Sequence, residues 1–184
     1  MIKEAPLLIY GAGGFGQEVA WLAESCQINS SPVRVVGFID DQITGEIHAI
    51  PVLSLSEALS RFAGVPIICG IGNPKSREAA VKKSQDAGFG YTMLVHSQTM
   101  MSRYVTIGEG SIICAGNILT TDISIGRHVQ INLSCTIGHN VVIGDFATLA
   151  PGVHVSGNVY IGKRVYIGTG DRKSTRLNSS HRIR

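Results

Sequence analysis

From Val95 to Ile167 every sixth residue is a large apolar side chain, and the register holds without an insertion or a deletion. The series reads Val95, Met101, Ile107, Ile113, Leu119, Ile125, Ile131, Ile137, Ile143, Leu149, Val155, Ile161 and Ile167. A period of six matches neither the 3.6 of an α-helix nor the alternation of an ordinary strand. It matches a chain that makes a short strand, turns a corner and repeats, the signature of a hexapeptide parallel β-helix. Three hexads complete one triangular coil, so residues eighteen apart stack at the inter-strand spacing of ~4.8 Å.

The slots of the hexad have separate duties. The first points inward and builds a continuous aliphatic core. The fifth also faces in and holds small or β-branched residues such as Thr99, Val105, Ser111, Val129, Cys135, Val141, Ala147 and Val153. The second is small or turn-forming: Gly108, Gly126, Gly138, Gly144, Gly162 and Gly168, with Asn132, Ala150 and Ser156 elsewhere. Slots three and four sit at the corners and face outward. A single amphipathic helix over the same stretch is excluded by its glycines and its β-branched load.

Ahead of the repeat, Pro6–Tyr10 reads as a strand that runs straight into Gly11-Ala12-Gly13-Gly14-Phe15-Gly16, followed by a helix over Gln17–Gln27. Strand, glycine turn and helix are the context in which G-x-G-x-x-G carries meaning. Gly11 permits the tight turn, Gly13 lets a phosphate approach the backbone, and Gly16 lets helix and strand pack closely. Val33–Ile39 is a second strand, ending in Asp40-Asp41. An acidic residue there can bind a ribose hydroxyl of a dinucleotide, or hold a nucleotide sugar; position alone does not choose. Leu55–Phe62 reads as a helix, Pro66–Ile71 as a strand, Lys75–Ala87 as a helix and Tyr91–Val95 as a last strand. Gly70-Ile71-Gly72-Asn73 forms a second glycine turn at the sheet's C-terminal edge. The fold expected is an α/β Rossmann-like βαβ domain over residues 1–94, followed by a β-helix over 95–170.

Residues 171–184 read differently. The hexads stop at Gly170, and Asp171 to His181 back-translates to a common sequencing-adapter oligonucleotide, so the segment is expected to be a non-native read-through tail on a β-helix truncated at its C-terminal end. The whole chain of 184 residues carries a formal charge of +3. Five basic residues and one acidic in 171–184 contribute +4, which leaves −1 for residues 1–170. The basic balance is thus a property of the tail and gives no ground for nucleic-acid binding. No apolar stretch approaches the ~20 residues of a membrane span. The N-terminus shows no signal-peptide pattern. Cys26, Cys69, Cys114 and Cys135 are scattered without CxxC spacing, as expected of reduced thiols in a cytoplasmic protein.

With both halves read, the chain resembles the bacterial sugar acyltransferases of the PglD/NeuD type. The matching motifs are GAGGFGQEV, GFIDD, the IGN turn with Lys75 and Arg77, VHSQT at the junction, and INLSCTIGHNVVIGDFATLAPGVHVSGNVYIG. The resemblance implies a left-handed β-helix, a homotrimer, acetyl-CoA as co-substrate, a nucleotide-sugar or sugar acceptor, and no metal. It places the general base at His139, in the third slot of its hexad. A neutral imidazole there takes the proton from a sugar amine or hydroxyl attacking an acetyl thioester. By the same resemblance Asn132 orients the acceptor, the Gly157 backbone contacts acetyl-CoA, and Gly11, Gly13, Asp40 and Asp41 hold the nucleotide sugar. Two positions depart: Asn140 stands where some relatives have an acid, and Thr148 where some have a second histidine.

The same residues bear on rival functions. Hexapeptide carbonic anhydrases use histidines five apart to hold zinc, but the positions flanking His139 at that spacing are Ser134 and Gly144. An NAD-dependent oxidoreductase would need a hydride-transfer site that a β-helix does not supply. A non-catalytic nucleotide-sugar binder, or a fragment lacking the end of its CoA groove, is the remaining alternative. His128, His154, His96 and His48 are expected to be ordinary histidines, the first two facing solvent.

Overall fold

The computed structural model describes residues 4–174. The chain separates into two compact units, Met1–Leu94 and Val95–Arg184.

The first unit is an α/β layer. Strand β1 (Ala5–Tyr10) leads into helix α1 (Gly14–Ala23), and a short β2 (Gln27–Ile28) precedes the long β3 (Ser31–Ile39). A hairpin of β4 (Gly45–Ile47) and β5 (Ile50–Leu53) follows, then α2 (Leu55–Arg61), β6 (Ile67–Cys69) and α3 (Pro74–Asp86). The sheet order is β4-β5-β3-β1-β6, with β1, β3, β5 and β6 mutually parallel where they pair. Leu7, Leu8, Ile9, Phe38, Ile39, Ile67 and Ile68 are fully buried, consistent with a central sheet covered on both faces. Local signals set the helix ends. Ser54 and Glu57 form a capping box at α2, and Asn73 caps α3 through its Oδ1, which accepts from Lys75 and Ser76 N–H ahead of Pro74.

Several sequence expectations are corrected here. Helix α1 begins at Gly14, not Gln17, because the glycine turn closes three residues earlier, with Gly13 as the N-cap. It ends at Ala23, and Gln27 belongs to β2. The strand expected over Tyr91–Val95 is not a single strand. Tyr91 makes one parallel bridge to Ile67, whereas Leu94–Val95 opens a ladder of the second unit.

The second unit is a left-handed parallel β-helix with three sheets. Paired residues are eighteen apart throughout: Ile113 with Ile131, Ile131 with Leu149, and Leu149 with Ile167 on one face. Leu119, Ile137 and Val155 stack on the second, and Ile107, Ile125, Ile143 and Ile161 on the third. First-slot and fifth-slot residues together form one continuous buried cluster. Truncating an inner member such as Ile131 to alanine would cost roughly 2–5 kcal/mol. Met101 is the exception: it is exposed, because Met100–Met101 is the end strand of its ladder. The small second slot has a plain cause. A Cβ on Gly138 would lie 2.6 Å from the backbone nitrogen of Gly157 on the next coil, and one on Gly144 would lie 2.6 Å from that of Lys163.

The fourth slot is a left-handed corner from the third hexad onward. From Gly110 to Gly170 each sixth residue has φ between 54° and 73°. That conformation favours Gly, Asn and Asp, and Gly116, Asp122, Asn140, Gly152 and Asn158 occupy it. Corner residues do not all face solvent. His128 is only 2% exposed and its ring stacks on Phe146 of the following coil, with centroids 5.0 Å apart, so the expectation of a solvent-facing His128 is corrected. His154 is exposed as expected, its Nδ1 2.8 Å from Thr136 Oγ1. The coil also runs past Gly170. Arg172–Lys173 pairs with His154–Val155, which places Lys173 in a first slot with its ammonium 2.8 Å from the Asp171 carboxylate. Residues 175–184, the bulk of the expected tail, lie outside the described residues.

Candidate functional site

Each unit carries one group of candidate residues. In the β-helix, His139 is an exposed third-slot residue followed by the left-handed corner at Asn140 (φ 58°). That corner turns the Asn140 amide back on the ring, and His139 Nδ1 lies 2.8 Å from Asn140 Oδ1. With the amide oxygen as acceptor, Nδ1 carries the proton and Nε2 keeps its lone pair. The residue one coil above is Gly157. A Cβ there would lie 2.5 Å from His139 Nε2 and 2.6 Å from Cε1, so the imidazole rests on the bare Gly157 backbone.

Asn132 is placed differently. It is half-buried and aligned with Cys114 of the preceding coil, whose Sγ is 3.9 Å from Asn132 Oδ1. Among the described contacts it makes none with His139. Thr148 is buried at 1% exposure. Among the described residues no group of three or more His, Cys, Asp or Glu side chains is placed to hold a metal ion.

In the first unit the glycine turn is tied to the end of β3. Gly11 (φ 106°) donates its N–H to the Ile39 carbonyl at 2.7 Å, and Ala12 N–H donates to Asp40 Oδ2 at 2.9 Å. A Cβ on Gly16 would collide with the Gly11 carbonyl, and one on Gly70 would meet Gly16 Cα at 2.7 Å. Gly11 and Gly16 are therefore demanded by packing. Gly13 is not: it is exposed, and a Cβ there would meet nothing within 4 Å. Its freedom faces outward, at the start of a helix whose N-cap offers no side-chain acceptor.

The two aspartates divide their work. Asp40 accepts from Ala12 N–H on one oxygen and from Gln42 and Ile43 N–H on the other, at 2.9–3.0 Å. Partial burial pushes its carboxyl up, but these backbone donors outweigh that and hold it below the usual aspartate value. Asp41 instead accepts from Tyr10 Oη at 3.2 Å and from Lys83 Nζ at 2.6 Å. Both acids border a cavity of about 530 Å³ over the ends of β1 and β3, whose other walls include Tyr10, Ile71, Ser76 and Lys83. Gly11 and Gly13 do not line it. Beneath it, fully buried Arg77 donates to the Ile71 and Gly72 carbonyls at 2.9 and 3.0 Å, which stiffens the second glycine turn. Burial pulls its guanidinium down to about 10.

Sequence reasoning did not bring Tyr10 or Lys83 into the sites, and it marked Asn140 only as a departure beside His139. Asn140 is next to His139, and the Asn preference of a left-handed corner was a usable signal. Lys83 is 42 residues from Asp41, and no local spacing connects them.

Four matches with known proteins place the chain. The model of the PglD N-terminal domain matches residues 6–84. The fold superposes on WeeI from Acinetobacter baumannii with a TM-score of 0.79 and 33% identity, covering 89% of this chain and 78% of that one. It superposes on the acetyltransferase domain of PglB from Neisseria gonorrhoeae, solved in complex with acetyl coenzyme A, with a TM-score of 0.82 and 28% identity. That match covers 92% of this chain and 82% of the other. GDP-perosamine N-acetyltransferase of Escherichia coli O157:H7 is 28% identical over 169 residues, 88% of this chain and 75% of that protein.

Proposed function

Because this chain belongs to the PglD family of hexapeptide-repeat sugar acetyltransferases, we propose that it moves the acetyl group of acetyl-CoA onto an amine or hydroxyl of a nucleotide-linked sugar, with His139 as general base. The observation that carries this reading is the setting of His139: an exposed imidazole laid on Gly157, with Nδ1 engaged by Asn140. Nε2 thereby keeps its lone pair to accept a proton.

The chemistry follows from that setting. The acceptor nitrogen or oxygen attacks the thioester carbonyl as Nε2 removes its proton, and a tetrahedral intermediate forms. Collapse breaks the C–S bond, and the departing CoA thiolate takes the proton back from the imidazolium. No acyl-enzyme intervenes. Asn140 stabilises the required tautomer without adding charge, where an acid at this position would also stabilise the imidazolium. The Gly157 backbone contacts acetyl-CoA and Asn132 orients the acceptor; both roles rest on the resemblance of the motifs. Gly13 and Asp41 take the nucleotide sugar, while Gly11 and Asp40 hold the loop that presents them. A homotrimer is the working unit in this proposal.

The test is release of CoA thiol from acetyl-CoA in the presence of UDP- or GDP-linked 4-amino sugars. Turnover that falls by roughly 10²–10⁴ in His139→Ala supports the assignment. An Ala variant as fast as the parent overturns it.

A further inference from the structure

We propose that Lys83, paired with Asp41 at the wall of the first unit's cavity, selects the nucleobase of the sugar nucleotide. It admits bases whose hydrogen-bonding edge sets a carbonyl beside a ring N–H, as in uracil and guanine, and excludes cytosine and adenine. This rests on the nucleotide-sugar reading above and narrows its substrate class.

The argument starts from which acid is free to bind. Both Asp40 oxygens are occupied by backbone N–H groups. Asp41 has one partner on each oxygen, Tyr10 on Oδ2 and Lys83 on Oδ1. A carboxylate has about four lone-pair sites, so Asp41 can still accept a hydrogen bond. An ammonium has three donors; Lys83 commits one to Asp41 and also engages the Tyr10 hydroxyl, which leaves one to spare. The pair is half-exposed, at 50% and 53%, so it contributes little to the stability of the fold. It does set a spare donor and a spare acceptor side by side, with Nζ and Oδ1 only 2.6 Å apart. Tyr10 is buried to 3% exposure and holds Asp41 from below, so the acceptor does not swing freely. Ile71, Ala79 and Ala80 supply apolar wall for the face of a planar ring.

A donor beside an acceptor reads a base edge of the opposite order. Thymine-type bases and guanine carry a carbonyl at the position where cytosine and adenine carry an exocyclic amine. Uracil and guanine therefore offer the carbonyl to Lys83 and the neighbouring ring N–H to Asp41. Cytosine and adenine turn an N–H donor toward the ammonium and an acceptor nitrogen toward the carboxylate, so both contacts are mismatched. A two-point contact of this kind discriminates by roughly 5- to 150-fold. In a half-exposed pair the lower part of that range applies, about tenfold.

Isothermal titration of the full chain with UDP, GDP, CDP and ADP reads this directly. UDP, GDP or both should bind about tenfold or more tightly than CDP and ADP. Lys83→Met, which keeps the aliphatic stem and loses the donor, should bring the four within about twofold. Lys83→Arg, which keeps a donor, should retain a preference. The proposal is overturned if CDP or ADP binds as tightly as both UDP and GDP, or if Lys83→Met keeps the parent's preference. Acetyl transfer by the parent without any base preference would sink the role of Lys83 and leave the acetyltransferase reading standing. Failure of the parent to bind any of the four nucleotides would overturn the nucleotide-sugar reading and this inference with it.

Discussion

Replacing Gly157 by alanine separates the position of the base from the stability of the coil. The new Cβ would lie 2.5, 2.6 and 2.9 Å from Nε2, Cε1 and Cδ2 of His139. Ordinary carbon contact begins near ~3.5 Å, so the ring has to move by about 1 Å. It can do so cheaply, because His139 is exposed and its only described side-chain partner is Asn140. Gly157 has no positive φ, so alanine itself is not strained. Displacing a catalytic group by about 1 Å lowers turnover by up to ~10²-fold, or ~2.7 kcal/mol in the barrier. Gly157→Ala should therefore melt within about 2 °C of the parent while kcat for CoA thiol release falls ten- to a hundredfold. Gly138→Ala is the control with the opposite signature. Its Cβ would strike backbone atoms of Ser156 and Gly157 at 2.6–2.8 Å, which cannot swing aside. Overpacking of that kind costs about 1–3 kcal/mol, and each kcal/mol lowers Tm by about 2–4 °C in a chain of this size. If Gly157→Ala keeps both its Tm and its full kcat, the seating of His139 on Gly157 is not what positions the base.

Other consequences are independent of that one. Asn140→Asp places an anion against Nδ1 and favours the protonated ring, so the acid limb of the kcat/KM profile should move to higher pH; an unchanged profile would show that Asn140 does not face the working base. Asp40→Ala should destabilise the first unit by about 1–3 kcal/mol at neutral pH, since it leaves the Ala12, Gln42 and Ile43 N–H groups without their acceptor. The folded-state carboxyl is depressed, so this contribution is full above the unfolded value of ~3.9 and is lost as pH falls through the lower folded value. Urea midpoints of parent and variant should accordingly differ at pH 7 and converge as pH falls below the depressed folded-state value. Burial pushes the Cys26 thiol up to about 11 and that of Cys69 to about 12. Neither should react with a thiol reagent at pH 8 until the chain unfolds, and rapid labelling of either in the native protein would contradict the packing described here.

The β-helix was legible because its constraint is local and repeated. One inward slot in six suffices to specify strand, corner and stacking distance, and the ladder pairs residues eighteen apart as that arithmetic requires. What it misjudged were places where a neighbour overrides the slot. Met101 is exposed in its end strand, and His128 is covered by Phe146 although its slot is a corner. In the first unit, the glycine turn and the strand before it were legible from G-x-G-x-x-G, because the demand on Gly16 comes from the Gly11 carbonyl within the motif itself. The hairpin at Gly45–Leu53 was not, since its residues carry no strong alternation.

The two candidate sites differ for the same reason. His139 and Gly157 meet because a period of six fixes what lies one coil away, so a contact eighteen residues distant in sequence can be counted out in advance. Asp41 and Lys83 meet because α3 packs against β6 and carries Lys83 to the residue just past β3, and that packing buries Ala80 and Val81. A helix turned by one residue would present Lys82 or Ser84 instead, and nothing in the spacing of the chain excludes that rotation. The site built by repetition could therefore be named from sequence. The contact built by packing had to be seen, because only the folded unit brings Asp41 and Lys83 together.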